Sequence, residues 1–335
     1  MTPPSVNRRQ LLQAMGATGA MGILAPWVSA SAQATADKAA ARVLFGLPPG
    51  AVGTRLASGF VAQLAAQQGS SYKLEHVLGR DGRRSVEAAI RAQPDGNTLL
   101  IAPSALVTLF SAIYRQLEYA PNTDLTPIAG IGEYAFMFLV GPRVPADVAT
   151  LDDYLRWVLD NPDFRHVGAV LRGSQGWLMT KQLAREKDAP LLAISYAATA
   201  SILADLEGGN LAAGFVTTGN GANARAAGRL RALAVSSAHS WVGMPDTPSF
   251  TELGLSDMEV TAWYGLFGPA RMREEALQAL QRASSQALEA PAMTGLMDQV
   301  AMLPLPLNPQ EMAKRIRRES AFYEAAVRRV QLERI

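Results

Sequence analysis

The chain has 335 residues, of which 49% are hydrophobic and 18% are charged, a composition typical of a folded protein with a sizeable core. Its formal net charge of +2 becomes 0 when Arg8 and Arg9, which lie in a predicted export signal, are subtracted (+2 − 2). A neutral mature chain lacks the basic excess typical of nucleic-acid binding. The absence of cysteine excludes disulfides, thiolate catalysis and cysteine metal sites.

The first segment, residues 1–34, has the pattern of an export signal. Arg8 and Arg9 precede an apolar stretch rich in Gly and Ala, and two A-x-A sequences end at Ala32 and Ala34. The paired arginines resemble a twin-arginine signal, and an ordinary Sec signal is the alternative. Either route predicts a periplasmic protein, with the signal cleaved near Ala32 or Ala34.

After the signal, apolar periodicity predicts strands that alternate with helices, an order typical of a mostly parallel sheet covered by helices. In the first block, the predicted strands are 43–47, 72–77, 99–102 and 135–140, and the predicted helices are 54–67, 85–92 and 106–113. In the second block, the predicted strands are 166–170, 191–196, 212–217 and 230–236, and helices are predicted at 151–159, from the loop 171–176 onward, at 200–206 and up to Gly228. The last predicted elements are a short helix at 250–253, a strand at 258–267 and helices at 273–289, 291–302 and 310–330.

The chain is predicted to cross twice between two α/β lobes, near Val140 and near Thr261. The predicted lobes are residues 40–140 plus 263–335, and residues 141–262. Two lobes joined by two crossings are typical of a hinged binding cleft.

Two strand–loop–helix junctions, one in each predicted lobe, are candidates for the binding site. In the first, Pro48 and Pro49 end a strand, Gly50 permits a tight turn, and a helix begins soon after. Backbone N–H groups at such a helix start suit an anionic group such as a carboxylate. The loop 172–176 is the second junction. A turn that binds no ligand is the alternative interpretation for the first loop.

The residues give no enzyme or metal signature. The three histidines are far apart in sequence and have no metal-ligand spacing. Ser174 has Arg172 where a nucleophile elbow requires its first glycine, and no phosphate-binding loop is present. We therefore predict no catalytic residue, no cofactor and no metal, and a hydrolase that uses Ser174 is the alternative.

Several strings occur along nearly the whole mature chain in one order. They are LPPG at 47–50, AQPDGNTLL at 92–100, LEGG at 206–209, GRLRALAV at 228–235, MPDTP at 244–248, ELGL at 252–255 and WYGLFGPA at 263–270. This ordered set resembles the Bug (TctC-like) family, the periplasmic solute-binding proteins of tripartite tricarboxylate transporters. No single string is specific, but the set is.

The resemblance implies an α/β, two-lobed fold of the periplasmic-binding-protein type (type II, Venus flytrap) with two interlobe crossings. It implies that the lobes close on a small carboxylate and that membrane permease subunits receive this ligand. Backbone N–H groups, hydroxyls and water would hold the carboxylate. The residues that the resemblance places at the ligand are Leu47, Pro48, Pro49, Gly50, Ala51, Ser104, Gly173, Ser174, Gln175, Thr217 and Thr218.

The sequence departs from the family pattern in the binding loops. Ala51 and Val52 replace glycines, and Trp177 stands where a histidine is common. Segments 76–82 and 196–198 also differ from the usual strings. These changes predict either an unusual ligand or a periplasmic sensor or scaffold that has lost tight solute binding. Arg80 and Arg172 are either additional carboxylate ligands or exposed loop charges.

Overall fold

The computed structural model describes residues 41–69, 71–242 and 244–335, and these residues belong to one compact unit, Ala39–Ile335. The predicted export signal, residues 1–34, lies outside the described residues. Within the described part of the chain, the helices are all too short or too polar to cross a membrane.

Helices cover both faces of one mixed sheet. The helices are α1 Val52–Gln68, α2 Arg83–Ile90, α3 Phe110–Ile113, α4 Pro121–Asp124, α5 Leu151–Asp160, α6 Gln175–Glu186, α7 Thr199–Glu207, α8 Thr218–Ala226, α9 Glu274–Glu289, α10 Pro291–Gln299 and α11 Pro309–Arg329. The strands are β1 Arg42–Phe45, β2 Lys73–His76, β3 Thr98–Pro103, β4 Leu125–Val140, β5 His166–Val170, β6 Leu192–Tyr196, β7 Ala213–Thr217, β8 Arg231–Val235, β9 Thr261–Pro269 and β10 Leu303–Pro304.

The strand order is β2-β1-β3-β9-β4-β7-β5-β6, with β8 and β10 also paired to β4. The outer strands are parallel to their neighbours, since β1 pairs with β2 and β3 and β5 pairs with β6 and β7. The strands β4 and β9 run antiparallel to all their partners. The predicted mostly parallel sheet is therefore correct for the outer strands and wrong for the centre, where the chain passes from one half of the sheet to the other.

The strand β4 belongs to both halves of the sheet. Its residues from Leu125 to Ala135 pair with β9, and those from Phe136 to Val140 pair with β7. The sequence predicts only the second part, from residue 135 onward. The first part contains Pro127 and two glycines, and the register with β9 shifts at those places, so the apolar pattern of a regular strand is interrupted.

Alternate side chains of β4 pack into two separate hydrophobic clusters. Phe136, Phe138 and Val140 join the larger cluster, whereas Met137 and Leu139 join a smaller one. Successive residues of a strand point to opposite faces of the sheet, so this central strand contributes apolar side chains to both faces. Because side chains on both of its faces are buried, β4 lies in the hydrophobic core.

Two predicted helices differ in the structure. The predicted helix at 250–253 is a series of turns that ends at Gly254, which has a φ of 79°. Ser249 and Glu252 bond to each other's backbone N–H groups at 3.0 and 2.8 Å, the pattern of a helix start, but no helix follows. The predicted helix at 106–113 is a 3₁₀ turn, Ser104–Leu106, followed by the short helix α3.

Candidate ligand-binding cavity

A cavity of about 390 Å³ lies where the β1–α1, β5–α6 and β7–α8 junctions meet. This volume is within the range of small-molecule sites. The lining comes from both halves of the sheet, and the central strand β4 contributes Tyr134 and Phe136.

Five helices begin at the cavity. The residues that cap the N-termini of α1, α2, α6, α7 and α8 all line it; they are Ala51, Gly82, Ser174, Ala198 and Thr217. The first N–H groups of a helix have no intrahelical acceptor, and the N-terminus is the positive end of the helix dipole. The cavity is therefore suited to an anionic group even though the described part of its lining contains no Lys, Arg or His.

Two polar contacts restrain the first loop, which joins β1 to α1. The Thr54 hydroxyl donates to the Pro48 carbonyl at 2.8 Å, and Nδ1 of His76 lies 2.6 Å from the carbonyl oxygen of Leu47. Gly53 lets the first turn of α1 approach Tyr264, because a Cβ there would lie 2.2 Å from the tyrosine hydroxyl. These contacts connect the loop to α1 and β2 and restrain its position.

The second loop owes its shape to two residues with positive φ. Leu171 has a φ of 62° and Gly173 one of 81°, and together they turn the chain from β5 into α6. The Ser174 hydroxyl accepts from the backbone N–H of Trp177 at 3.3 Å and caps α6. A serine cap of this kind defines where the helix begins.

The structure brings most of the predicted site residues together at the cavity. The lining includes Leu47, Pro48, Pro49, Gly50, Ala51, Ser174, Gln175 and Thr217. Three others lie outside the lining. Ser104 is fully buried and accepts from Nε2 of Gln175 at 3.2 Å; Thr218 is fully buried and donates to the carbonyl of Ala301 at 3.3 Å. Gly173 packs against Ile113, because a Cβ there would lie 2.8 Å from its Cγ2.

The residues predicted at the ligand leave out, among others, two strand–loop–helix junctions that line the cavity. These are Asp81 and Gly82, before α2, and residues 197–200, at the start of α7. Both fall in strings that depart from the family pattern, and both are strand–loop–helix junctions like the two that were predicted. The same junction pattern would have identified them.

Apolar side chains and two buried phenols form much of the lining. Burial raises the pKa of Tyr264 to about 12, and burial raises the pKa of Tyr134 well above its usual value. Both phenols therefore stay neutral at physiological pH and add polarity without charge.

The substituted loop residues leave the cavity open. Val52 is part of the lining. Trp177 is buried outside the lining, with Nζ of Lys181 lying 4.8 Å from the centroid of its ring. Arg80 pairs with Glu87 at 3.1 Å and with Glu118 at 2.7 Å.

Arg172 is exposed and is likewise outside the lining. These positions agree with the interpretation of both arginines as loop charges.

Among the described residues, no group of three or more His, Asp or Glu side chains is placed to hold a metal ion.

The strand order, the two shared central strands and the cavity between the sheet halves define the class: a two-lobed α/β protein with the type II periplasmic-binding-protein fold. Rpa4515 of R. palustris, solved with adipate, has this fold (TM-score 0.82, 22% identity, 88% of this chain and 98% of that chain covered). So does MatC of Rhodopseudomonas palustris, solved with malate (TM-score 0.78, 24% identity, 86% and 98% covered).

Residues 79–332 match the model of the tripartite tricarboxylate transporter family receptor, TctC, so the chain belongs to this family. BugT of Bordetella pertussis is 24% identical over 277 residues, which cover 82% of this chain and 84% of BugT. The predicted membership of the Bug (TctC-like) family is confirmed.

Proposed function

We propose that this protein is a periplasmic solute-binding protein that captures a small carboxylate and delivers it to the permease subunits of a tripartite tricarboxylate transporter. The observation that carries the proposal is the convergence of five helix N-termini on one cavity. Membership of the receptor family supports the transport role. The adipate in Rpa4515 and the malate in MatC support a carboxylate as the ligand.

In this proposal, backbone N–H groups replace cationic side chains. A carboxylate at the starts of α1 and α6 would accept several charge-assisted hydrogen bonds, which are shorter and stronger than neutral ones. The loops that present these groups are already fixed by Thr54, His76 and Ser174. Preorganisation of this kind reduces the free-energy cost of ordering the site on binding.

The lobes of the proposal are residues 40–140 plus 263–335, and residues 141–262, which would close about the shared central strands. Its binding residues are the predicted residues that line the cavity, together with the junctions at Asp81 and Thr199. The signal in residues 1–34 would direct export to the periplasm. The proposed role is non-enzymatic, in keeping with the Ser174 hydroxyl serving as a helix cap.

Isothermal titration of residues 35–335 against a panel of monocarboxylates, dicarboxylates and amino acids tests the proposal. We expect saturable binding of at least one carboxylate and none of the matching amide. A folded protein that binds no member of the panel would contradict the proposal. That result would favour the alternative of a periplasmic sensor or scaffold, and co-purification with a signalling partner in place of permease subunits would support that alternative.

A further inference from the structure

Among the described residues that line the cavity, one side chain is charged, and it is negative. Asp81 lies just before α2 with a φ of 56°, and its side chain is 34% exposed. Its Oδ2 atom accepts from the Tyr114 hydroxyl at 2.8 Å and lies 3.9 Å from Nη2 of Arg83. Arg83 itself is outside the lining, so the surface that faces the cavity carries the carboxylate but not its cation.

The guanidinium of Arg83 contacts two residues that lie outside the lining. It lies over the Tyr114 ring at 3.8 Å from the centroid, and its Nε donates to the carbonyl of Arg80 at 2.8 Å. Its side chain is only 14% exposed. These contacts hold Arg83 outside the cavity lining, so it does not present its positive charge to a ligand there.

Apolar side chains dominate the rest of the lining. They come from both halves of the sheet and include Leu106, Phe110, Phe136, Leu203, Phe215 and Val216. A hydrocarbon chain or an aromatic ring would bury its surface against them, with a gain that scales with the apolar area removed from water. A second carboxylate in the same space would lose its hydration close to the negative charge of Asp81.

This inference rests on the proposed function and adds the chemical class of the ligand. We propose that the cavity selects an amphipathic monocarboxylate, which has one carboxylate and an uncharged apolar body, and discriminates against dicarboxylates. The helix N-termini hold the single carboxylate, the apolar side chains hold the body, and Asp81 repels a second negative charge.

Two matched ligand pairs test the selection by isothermal titration of residues 35–335. Hexanoate and adipate share a six-carbon chain and differ in one terminal carboxylate; phenylacetate and 1,4-phenylenediacetate differ in one added carboxymethyl group. We expect the monocarboxylate of each pair to bind at least about tenfold more tightly than its partner. A dicarboxylate that binds as tightly as its partner, or more tightly, overturns the selection while the proposed carboxylate-binding function stands. Absence of binding in both pairs overturns the selection, and the wider panel then decides the proposed function separately.

Asp81→Asn tests the origin of the selection. The substitution removes the charge and keeps an acceptor for Tyr114, so we expect the affinity ratio between hexanoate and adipate to shrink by at least about threefold. Asp163→Asn, which removes the same charge at an exposed position outside the lining, should leave the ratio unchanged. An unchanged ratio in Asp81→Asn overturns the role of Asp81, and Asp81→Ser gives a second uncharged side chain if the asparagine variant does not fold.

Discussion

The side-chain amide of Gln175 donates from Nε2 to the Oγ atom of Ser104 over 3.2 Å, and both residues are buried. Ser104 follows β3 in one half of the sheet, and Gln175 begins α6 in the other. The Ser104 hydroxyl also lies 3.4 Å from the backbone N–H of Trp263, which donates to it. One hydroxyl thus joins β3, β9 and the start of α6 directly behind the cavity.

Ser104→Ala removes this acceptor and leaves buried donors without it. We expect the free energy of unfolding to fall by about 1–3 kcal/mol, since an unsatisfied buried polar group costs its full desolvation penalty. Urea unfolding followed by circular dichroism measures this. Ser201→Ala, at an exposed position of α7, should change stability by less than about 0.5 kcal/mol. Equal stability of the two variants would show that the bond contributes nothing.

Gly53→Ala introduces a methyl group where the first turn of α1 approaches Tyr264. The added Cβ would lie 2.2 Å from the hydroxyl oxygen and 2.7 Å from Cζ of a ring that is almost completely buried. We expect the free energy of unfolding, measured by thermal unfolding, to fall by about 1–3 kcal/mol, which is typical of an overpacked core. We also expect the variant to bind a carboxylate more weakly.

The matched control is Gly295→Ala on α10, where a Cβ would meet no atom within 4 Å. There, the better helix propensity of alanine should stabilise the protein by about 0.5–1 kcal/mol. We therefore expect Gly53→Ala to lower the stability of the protein and Gly295→Ala to raise it. A stabilised Gly53→Ala variant would mean that the close approach to Tyr264 imposes no constraint.

We expect Glu319 to make the stability of the protein depend on pH. Burial raises the pKa of its carboxyl above the ordinary value of 4.5, although Arg315 lowers it. A carboxyl whose folded pKa is raised favours folding below its unfolded pKa, and this contribution is lost as pH rises through the folded pKa. We therefore expect the free energy of unfolding of the wild type, relative to Glu319→Gln, to decrease as pH rises from about 4.

Urea unfolding at several pH values measures this difference. Glutamine keeps an acceptor for Nε1 of Trp263, which now donates to the two carboxylate oxygens at 3.0 and 2.9 Å. Glu324→Gln removes an equal charge from an exposed position of α11 and serves as the control. A difference that increases with pH would contradict the assigned direction of the shift.

Ser174→Ala removes the side-chain cap of α6. We expect the free energy of unfolding to fall by about 1 kcal/mol, the usual cost of losing such a cap. We also expect weaker binding of a carboxylate held at that helix start. Chemical denaturation and titration calorimetry measure the two effects. Hydrolysis by the wild type that disappears in this variant would instead revive the hydrolase alternative.

The sequence predicts the outer elements of the fold well because their patterns are regular. The strand β5 is predicted at its observed bounds, His166–Val170, since an apolar run is followed there by clear turn residues. The first part of β4 escapes prediction because Pro127 and two glycines interrupt its pattern, and its pairing with β9 depends on residues over a hundred positions away. Local periodicity carries no information about such a partner.

In the candidate site, too, some residues can be predicted from the sequence and others cannot. Pro48 to Ala51 and Ser174 are identifiable because strand, turn and helix signals follow one another directly. Ser104 and Thr218 are buried behind the cavity and not in its lining, because their hydroxyls bond to neighbouring elements that the sequence does not place. Asp81 was missed because it belongs to a junction whose string is atypical for the family.

The alternation along β4 makes this segment sensitive to changes in length. Deleting or inserting one residue between Ala135 and Val140 would exchange the side chains that face the two hydrophobic clusters, since a strand has a repeat of two residues. Both clusters would then receive side chains of the wrong size at once. A substitution changes one of these clusters at a time, whereas a single codon gained or lost would disturb both clusters together.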